Sequence, residues 1–221
     1  MEQITRKIIQ IGTLGDWGVG KSNLSSVFAK NEFSTEHLST IGINCLIKNI
    51  KIKIGNQEKE IKVKIWDTAG QEKFKSISLQ YVKNCLGIIL VYSILDSKTL
   101  ENIDNWINEI KEKKNNDKVF MVLIGNKCDL EDERVVSKKE GEKFANKHNL
   151  KLFECSAKKR INVNEAFDYL INGIVDIYKD EFIENNNNDD EEKKDSNEKK
   201  GNCCKSKKNK ENNDLKLNVR K

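Results

Sequence analysis

Apolar positions along the 221-residue chain recur with two different periods. Short, nearly continuous apolar runs read as strands, and stretches where apolar residues return every three or four positions read as helices. Residues 7–14 read as a strand and 21–30 as a helix. Residues 43–54 and 61–66 read as two strands joined by a polar turn at Gly55 and Asn56. Residues 86–92 and 119–125 are almost wholly apolar, as expected of parallel strands covered on both faces. Between them, Leu100, Ile103, Ile107 and Ile110 fall on one face of a helix. Ser137 with Glu140 has the form of a capping box opening another helix, and Asn162 with Glu165 that of a third. The third would carry Ala166, Phe167, Leu170, Ile174 and Ile177 on its inner side. This alternation predicts an α/β fold, a doubly wound, mostly parallel six-stranded sheet with one antiparallel hairpin and helices on both faces. Ligands of such sheets bind beyond the carboxyl ends of the strands.

Composition divides the chain in two. The apolar residues, 37% of the whole, are concentrated before residue 183, so residues 1–182 are expected to form one domain with its own core. From 183 to 221 the periodicity is lost. An Asn run at 185–188, an acidic cluster at 189–192 and a Lys-rich stretch at 199–210 cannot bury enough apolar surface to offset ordering entropy, which predicts a disordered tail. No apolar run reaches the roughly 20 residues needed to span a bilayer, and the first residues lack the apolar core of a secretory signal. A cytosolic, monomeric domain is expected. Lys and Arg number 40 against 35 Asp and Glu and are spread throughout, without the aromatic-interleaved clustering of a nucleic-acid binder. No nucleic-acid partner is expected. Cys45, Cys85, Cys128 and Cys155 lack metal or disulfide spacing and read as small packing residues. Cys203 and Cys204 are adjacent and flanked by lysines.

Candidate chemistry lies at the strand ends. GDWGVGKS at 15–22 (Gly15, Asp16, Trp17, Gly18, Val19, Gly20, Lys21, Ser22) falls between a strand and a helix and fits G-x-x-x-x-G-K-S, the mark of a P-loop NTPase. Glycines let backbone N–H groups wrap a phosphate at a helix N-terminus, Lys21 can reach the β- and γ-phosphates, and the Ser22 hydroxyl can coordinate Mg²⁺. Alone the motif says only nucleoside triphosphate. WDTAGQ at 66–71 leaves the third strand at the height of such an ion, which suits Asp67 to hold it. The Gly70 N–H can approach a γ-phosphate, and Gln71 can orient a water for in-line attack. NKCD at 126–129 (Asn126, Lys127, Asp129) selects the base, because the Asp129 carboxylate can accept from the guanine N1–H and exocyclic amine. Adenine offers an acceptor at N1 and no such amine, and mismatches of this sort discriminate by about 10⁴. SAK at 156–158 (Ser156, Ala157, Lys158) ends the next strand, where the Ala157 N–H can meet the guanine O6.

These four motifs, in this order and spacing, resemble the Ras-like small GTPases over about residues 6–180. STIGIN around Thr40, KIWDTAGQEKFKSI and YVKNCLGIILVYSI are similar to the Rab branch in particular. No helical insert of the Rho type follows NKCD, and no amphipathic helix of the Arf type opens the chain. The resemblance implies GTP and GDP as ligands, Mg²⁺ as cofactor, and GTP hydrolysis that releases switch loops. It makes Thr40 the residue whose hydroxyl joins Mg²⁺ and whose N–H meets the γ-phosphate, and Phe33 the aromatic covering the guanine. Asn23 follows Ser22 into the same nucleotide-binding set. Implied partners are an exchange factor, a GTPase-activating protein, effectors on the switch regions and, if the tail is prenylated, a GDP-dissociation inhibitor. The implied role is in vesicle and membrane traffic, from the cytosolic face of an internal or plasma membrane.

Three departures stand out. Cys45 occupies a position where Rab proteins commonly carry Phe. The Cys203–Cys204 pair is followed by seventeen further residues, 205–221, so geranylgeranylation, palmitoylation, prior trimming and an unmodified tail all remain open. Trp17 stands where the family has a small residue. Its indole is expected either to point towards the γ-phosphate and Gln71, slowing hydrolysis and giving a mostly GTP-bound scaffold, or to fold outward and leave catalysis intact.

Overall fold

The computed structural model describes residues 8–35, 40, 42–55, 57–70, 75–114 and 118–182. Within them strands β1 (Ile8–Leu14), β2 (Ile43–Ile54), β3 (Gln57–Thr68), β4 (Gly87–Ser93), β5 (Phe120–Asn126) and β6 (Lys151–Cys155) form one sheet, in the order β2-β3-β1-β4-β5-β6. β2 and β3 pair antiparallel and all the other pairs are parallel. The helices are α1 (Lys21–Lys30), α2 (Lys75–Val82), α3 (Ser97–Glu101), α4 (Ile103–Lys114), α5 (Lys138–Lys147), α6 (Val163–Ile177) and α7 (Lys179–Phe182). The expected doubly wound sheet with one hairpin is what forms.

Strand β4 shows why its sequence reads as unbroken apolar. The period of two sends Ile88, Leu90 and Tyr92 to one face, against Ile103, Trp106 and Ile107 of α4. Ile89 and Val91 go to the other face, where Phe28 of α1 and Phe167, Leu170 and Ile174 of α6 lie. Both faces are covered, so every residue of β4 is buried. Each such side chain contributes about 1.5–3 kcal/mol through burial. Phe28 and Phe167 stack with ring centroids 4.1 Å apart, which joins α1 to α6 beneath the sheet.

Local signals held unevenly. The capping box of α5 is present: the Glu140 N–H donates to Ser137 Oγ at 3.2 Å, and the Ser137 N–H donates to Glu140 Oε2 at 2.8 Å. The box expected at Asn162 does not form. Asn162 has a left-handed backbone, φ 54°, and makes no side-chain cap. Its Nδ2 instead donates to the Glu154 carbonyl at 2.8 Å, pinning the β6–α6 turn. Ile177 is exposed rather than inward. Gly87 opens β4 directly against Leu170 and Ile174, so one turn later α6 has run past the end of the central strands. Ile171 and Val175 are buried in its place.

The stripe Leu100, Ile103, Ile107 and Ile110 is buried as expected, but its helix is interrupted at Asn102. Asp96 caps α3 by accepting from the Lys98 N–H at 3.0 Å. β3 begins four residues earlier than the apolar alternation suggested, because its polar residues pair across the hairpin, Lys51 with Glu60 and Lys53 with Glu58. Asn56 of the hairpin turn lies outside the described residues. The eight-residue helix α2 carries too weak an apolar stripe to be read from sequence. Cys85 and Cys155 are buried packing residues, Cys128 is half-buried, and Cys45 is exposed. The exposure of Cys45 corrects its assignment to the interior: in β2 it points to the face opposite that of buried Leu46.

Candidate functional site

The β1–α1 loop closes tightly at the carboxyl edge of the sheet. A Cβ on Gly15, at φ 143°, would sit 2.1 Å from the Val91 carbonyl oxygen, and one on Gly20, at φ 97°, would sit 2.3 Å from Asn126 Nδ2. Only glycine lets this backbone pass at both points. Lys21 opens α1 with its side chain folded back into the loop, where Nζ donates to the Gly15 carbonyl at 2.9 Å and the Asp16 carbonyl at 2.7 Å. Burial pushes its ammonium down to about 8, against the opposing pull of the Asp67 and Asp16 carboxylates.

Asp67 lies at the end of β3 and is 2% exposed. Burial raises its pKa, opposed by Ser22, Lys21 and Thr13. Its Oδ1 is buried without a hydrogen-bond partner among the described residues. Ser22 Oγ and Thr40 Oγ1 lie 2.8 Å apart, tying residue 40 to the first turn of α1. Three hard oxygen donors thus belong to one corner, and one is an orphan, a donor set that suits a small divalent cation. Gly70 closes the corner. A Cβ there would sit 2.4 Å from both the Asp16 carbonyl oxygen and Lys21 Nζ.

At the other end of the loop system Asn126 bridges two elements. Its Nδ2 donates to the Val19 carbonyl at 2.8 Å and its Oδ1 accepts from the Ala157 N–H at 3.3 Å. Lys127 has φ 71° and turns the chain towards Asp129. Ser156 Oγ donates to Asp129 Oδ1 at 2.5 Å and accepts from the Lys159 N–H at 2.9 Å.

A cavity of about 830 Å³ runs between these two ends. Trp17, Gly18, Gly20, Lys21, Ser22, Thr40 and Gly70 line one end, and Phe33, Asn126, Lys127, Asp129, Ala157 and Lys158 the other, with Asn23 beside them. Gly15, Asp16, Val19, Asp67 and Ser156 stand behind this wall as supports. Trp17 is 60% exposed at the rim. Gln71 lies outside the described residues, as do Cys203 and Cys204.

The sequence offered no sign of one support. The Asp16 carboxylate accepts from Asn102 Nδ2 at 2.6 Å and from Trp106 Nε1 at 3.1 Å, fastening the loop to the start of α4. Lys75 of α2 lies 4.8 Å from the Trp106 ring centroid and pairs with Glu109. Leu95 and Leu130 line the cavity as well, an apolar contribution that no motif carries.

The cavity fits a nucleotide in size, with a cationic, amide-lined end and a carboxylate end. Comparison with known proteins agrees. The Ras family model matches residues 9–176. Ras-related protein Rab-13 of Rattus norvegicus is 45% identical over 162 residues, covering 73% of this chain and 77% of that protein. Rab-10 of Diplobatis ommata and Rab-8B of Bos taurus are each 45% identical over the same share of this chain, covering 78% and 76% of their own lengths. The chain belongs to the Ras family of small GTPases, in its Rab branch.

Proposed function

We propose that this GTPase takes GTP and Mg²⁺ in the cavity described, hydrolyses the nucleotide to GDP and phosphate, and acts as a switch in vesicle traffic at a cytosolic membrane face. One observation carries the reading: a single cavity joins buried Lys21 and the Ser22–Thr40 hydroxyl pair at one end to Asp129, held by Ser156, at the other. Lys21 would exchange its carbonyl partners for the β- and γ-phosphate oxygens, a charge-assisted bond in place of a neutral one. Ser22, Thr40 and Asp67 would hold the ion, which when bound neutralises charge on those oxygens. The Gly70 N–H faces the γ-phosphate, and Gln71 orients the attacking water. Asp129 accepts from guanine N1–H and its amine, the Ala157 N–H donates to O6, and Phe33 covers the ring. Lys127 and Lys158 flank the base and Asn126 braces their loops.

Residues 1–182 would constitute the catalytic domain, with 183–221 as a tail anchored through lipid on Cys203 or Cys204. Lysines beside that pair would add about 1 kcal/mol each at an anionic surface. An exchange factor, a GTPase-activating protein and effectors would read the loops around Thr40 and Gly70, and a GDP-dissociation inhibitor the prenylated form. The test of the core claim is competition binding. GTP and GDP should displace a labelled guanine nucleotide far more effectively than ATP or ADP, and equal potency of ATP would sink the assignment.

A second reading concerns rate. Trp17 stands 60% exposed on the wall that Gly70 and Thr40 share. An indole there obstructs an activating protein's arginine, an element worth about 10³–10⁵ in rate. The protein would then turn over slowly and persist with GTP bound.

A further inference from the structure

Helix α1 is capped by Asn31, whose left-handed backbone, φ 60°, reverses the chain; the Asn31 N–H donates to the Val27 carbonyl at 2.9 Å and the Glu32 N–H to the Ser26 carbonyl at 3.4 Å. The chain then runs back along the helix. Eight helical residues from Asn23 to Asn31 rise about 12 Å. Three extended residues from Asn31 to Ser34 cover about 10 Å. Ser34 therefore arrives level with Asn23, and both ends of the Asn23 carboxamide engage its backbone. Nδ2 donates to the Ser34 carbonyl and the Ser34 N–H donates to Oδ1, both at 3.0 Å. A side-chain amide thus supplies the paired bonds that a neighbouring strand would supply, and its donor and acceptor ends are both used.

The residue just before this clamp is Phe33, which packs partly against the core and lines the base end of the cavity. Residue 40, beyond it, is fastened by its hydroxyl to Ser22. Successive residues of α1 thus hold the returning segment at two points, one towards the base and one towards the phosphates.

We propose that Asn23 is a positioning residue that clamps the backbone behind Phe33 and so sets the rate of nucleotide release. This rests on the reading of Phe33 as the cover of the guanine ring. For the base to leave, Phe33 must swing away, and its backbone can do so only when Ser34 gives up both bonds to Asn23. The Ser22–Thr40 link does not oppose that movement, because it holds the opposite end of the segment.

The experiment loads the full-length protein with a fluorescent GDP analogue and chases it with excess unlabelled GDP in Mg²⁺. Asn23→Ala should release about tenfold faster, equivalent to about 1.4 kcal/mol in the barrier. Asn23→Asp keeps the acceptor and loses the donor, and should fall between. Phe33→Ala should also release faster, and the double variant no faster than Phe33→Ala, since Asn23 acts through Phe33. Amide exchange at Ser34 in the GDP-loaded protein should rise in Asn23→Ala, a change that general destabilisation would not confine to one residue. Fast release from Phe33→Ala with unmodified release from Asn23→Ala overturns the clamp and leaves the cover intact. Additive acceleration in the double variant overturns it too, placing the action of Asn23 elsewhere. Unchanged release from Phe33→Ala overturns the cover and the clamp together.

Discussion

The two ends of the cavity are held in different ways. At the base end the residues hold one another. Asn126 spans Val19 and Ala157, Ser156 is shared between Asp129 and Lys159, and Cys128 N–H bonds the Cys155 carbonyl at 3.1 Å. At the phosphate end the partners are provisional. Lys21 leans on two carbonyls, Ser22 and Thr40 on each other, and Asp67 Oδ1 on nothing among the described residues. A pre-organised end binds without ordering cost and is the same with any guanine nucleotide. An end whose polar groups hold exchangeable partners can take different arrangements with different phosphates, which is the physical requirement for a switch.

Three substitutions break or sharpen that contrast. Asp129→Asn should have the largest effect, because it replaces the carboxylate with an amide at the pre-organised end. Guanine affinity should fall on the order of 10⁴-fold and xanthine nucleotides should gain, as measured by competition binding. Retained preference for guanine would remove Asp129 from the base contacts. Trp17→Gly probes the exchangeable end and should raise hydrolysis stimulated by an activating protein at least tenfold, about 1.4 kcal/mol. A single-turnover assay with a competent activator measures this, and an unchanged rate means the indole is no brake. Ser156→Ala should have the smallest effect. It leaves every direct base contact in place and removes the hydrogen bond that orients Asp129 together with the one accepted from the Lys159 N–H, so GDP affinity should drop about fivefold, in line with about 1 kcal/mol for the bond to Asp129. An equal loss for ADP would show that the serine does not act through base recognition.

Most of the sheet and most of the cavity wall were legible in the sequence, for local reasons. β4 announces itself because burial on both faces demands an unbroken apolar run, and α5 because its cap is a four-residue motif. The glycines at 15 and 20 stand where the loop backbone takes positive φ, 143° and 97°, a conformation that favours glycine. Where reading failed, tertiary context had intervened. Asn162 has the composition of a cap, yet the Glu154 carbonyl across the turn claims its amide. Ile177 keeps the helical period after the sheet beneath it has ended. Cys45 is as apolar as Cys85, but it lies exposed on the edge strand of the sheet whereas Cys85 is buried.

The sequence by itself determined the order of the strands along the chain, the α/β class, and which short segments line the cavity. Those features depend on residues within one loop or one turn, where spacing dictates geometry. Only the tertiary structure decided what braces them. Asp16 reaches Asn102 and Trp106, 86 and 90 residues away, because the packing of α4 on β4 brings their amide and indole N–H groups to the loop. Asn23 finds Ser34 because α1 ends at Asn31 and the chain returns along it. Such contacts follow from how helices pack and where they stop, and the long-range burial that sets both leaves no mark at the residues it brings together.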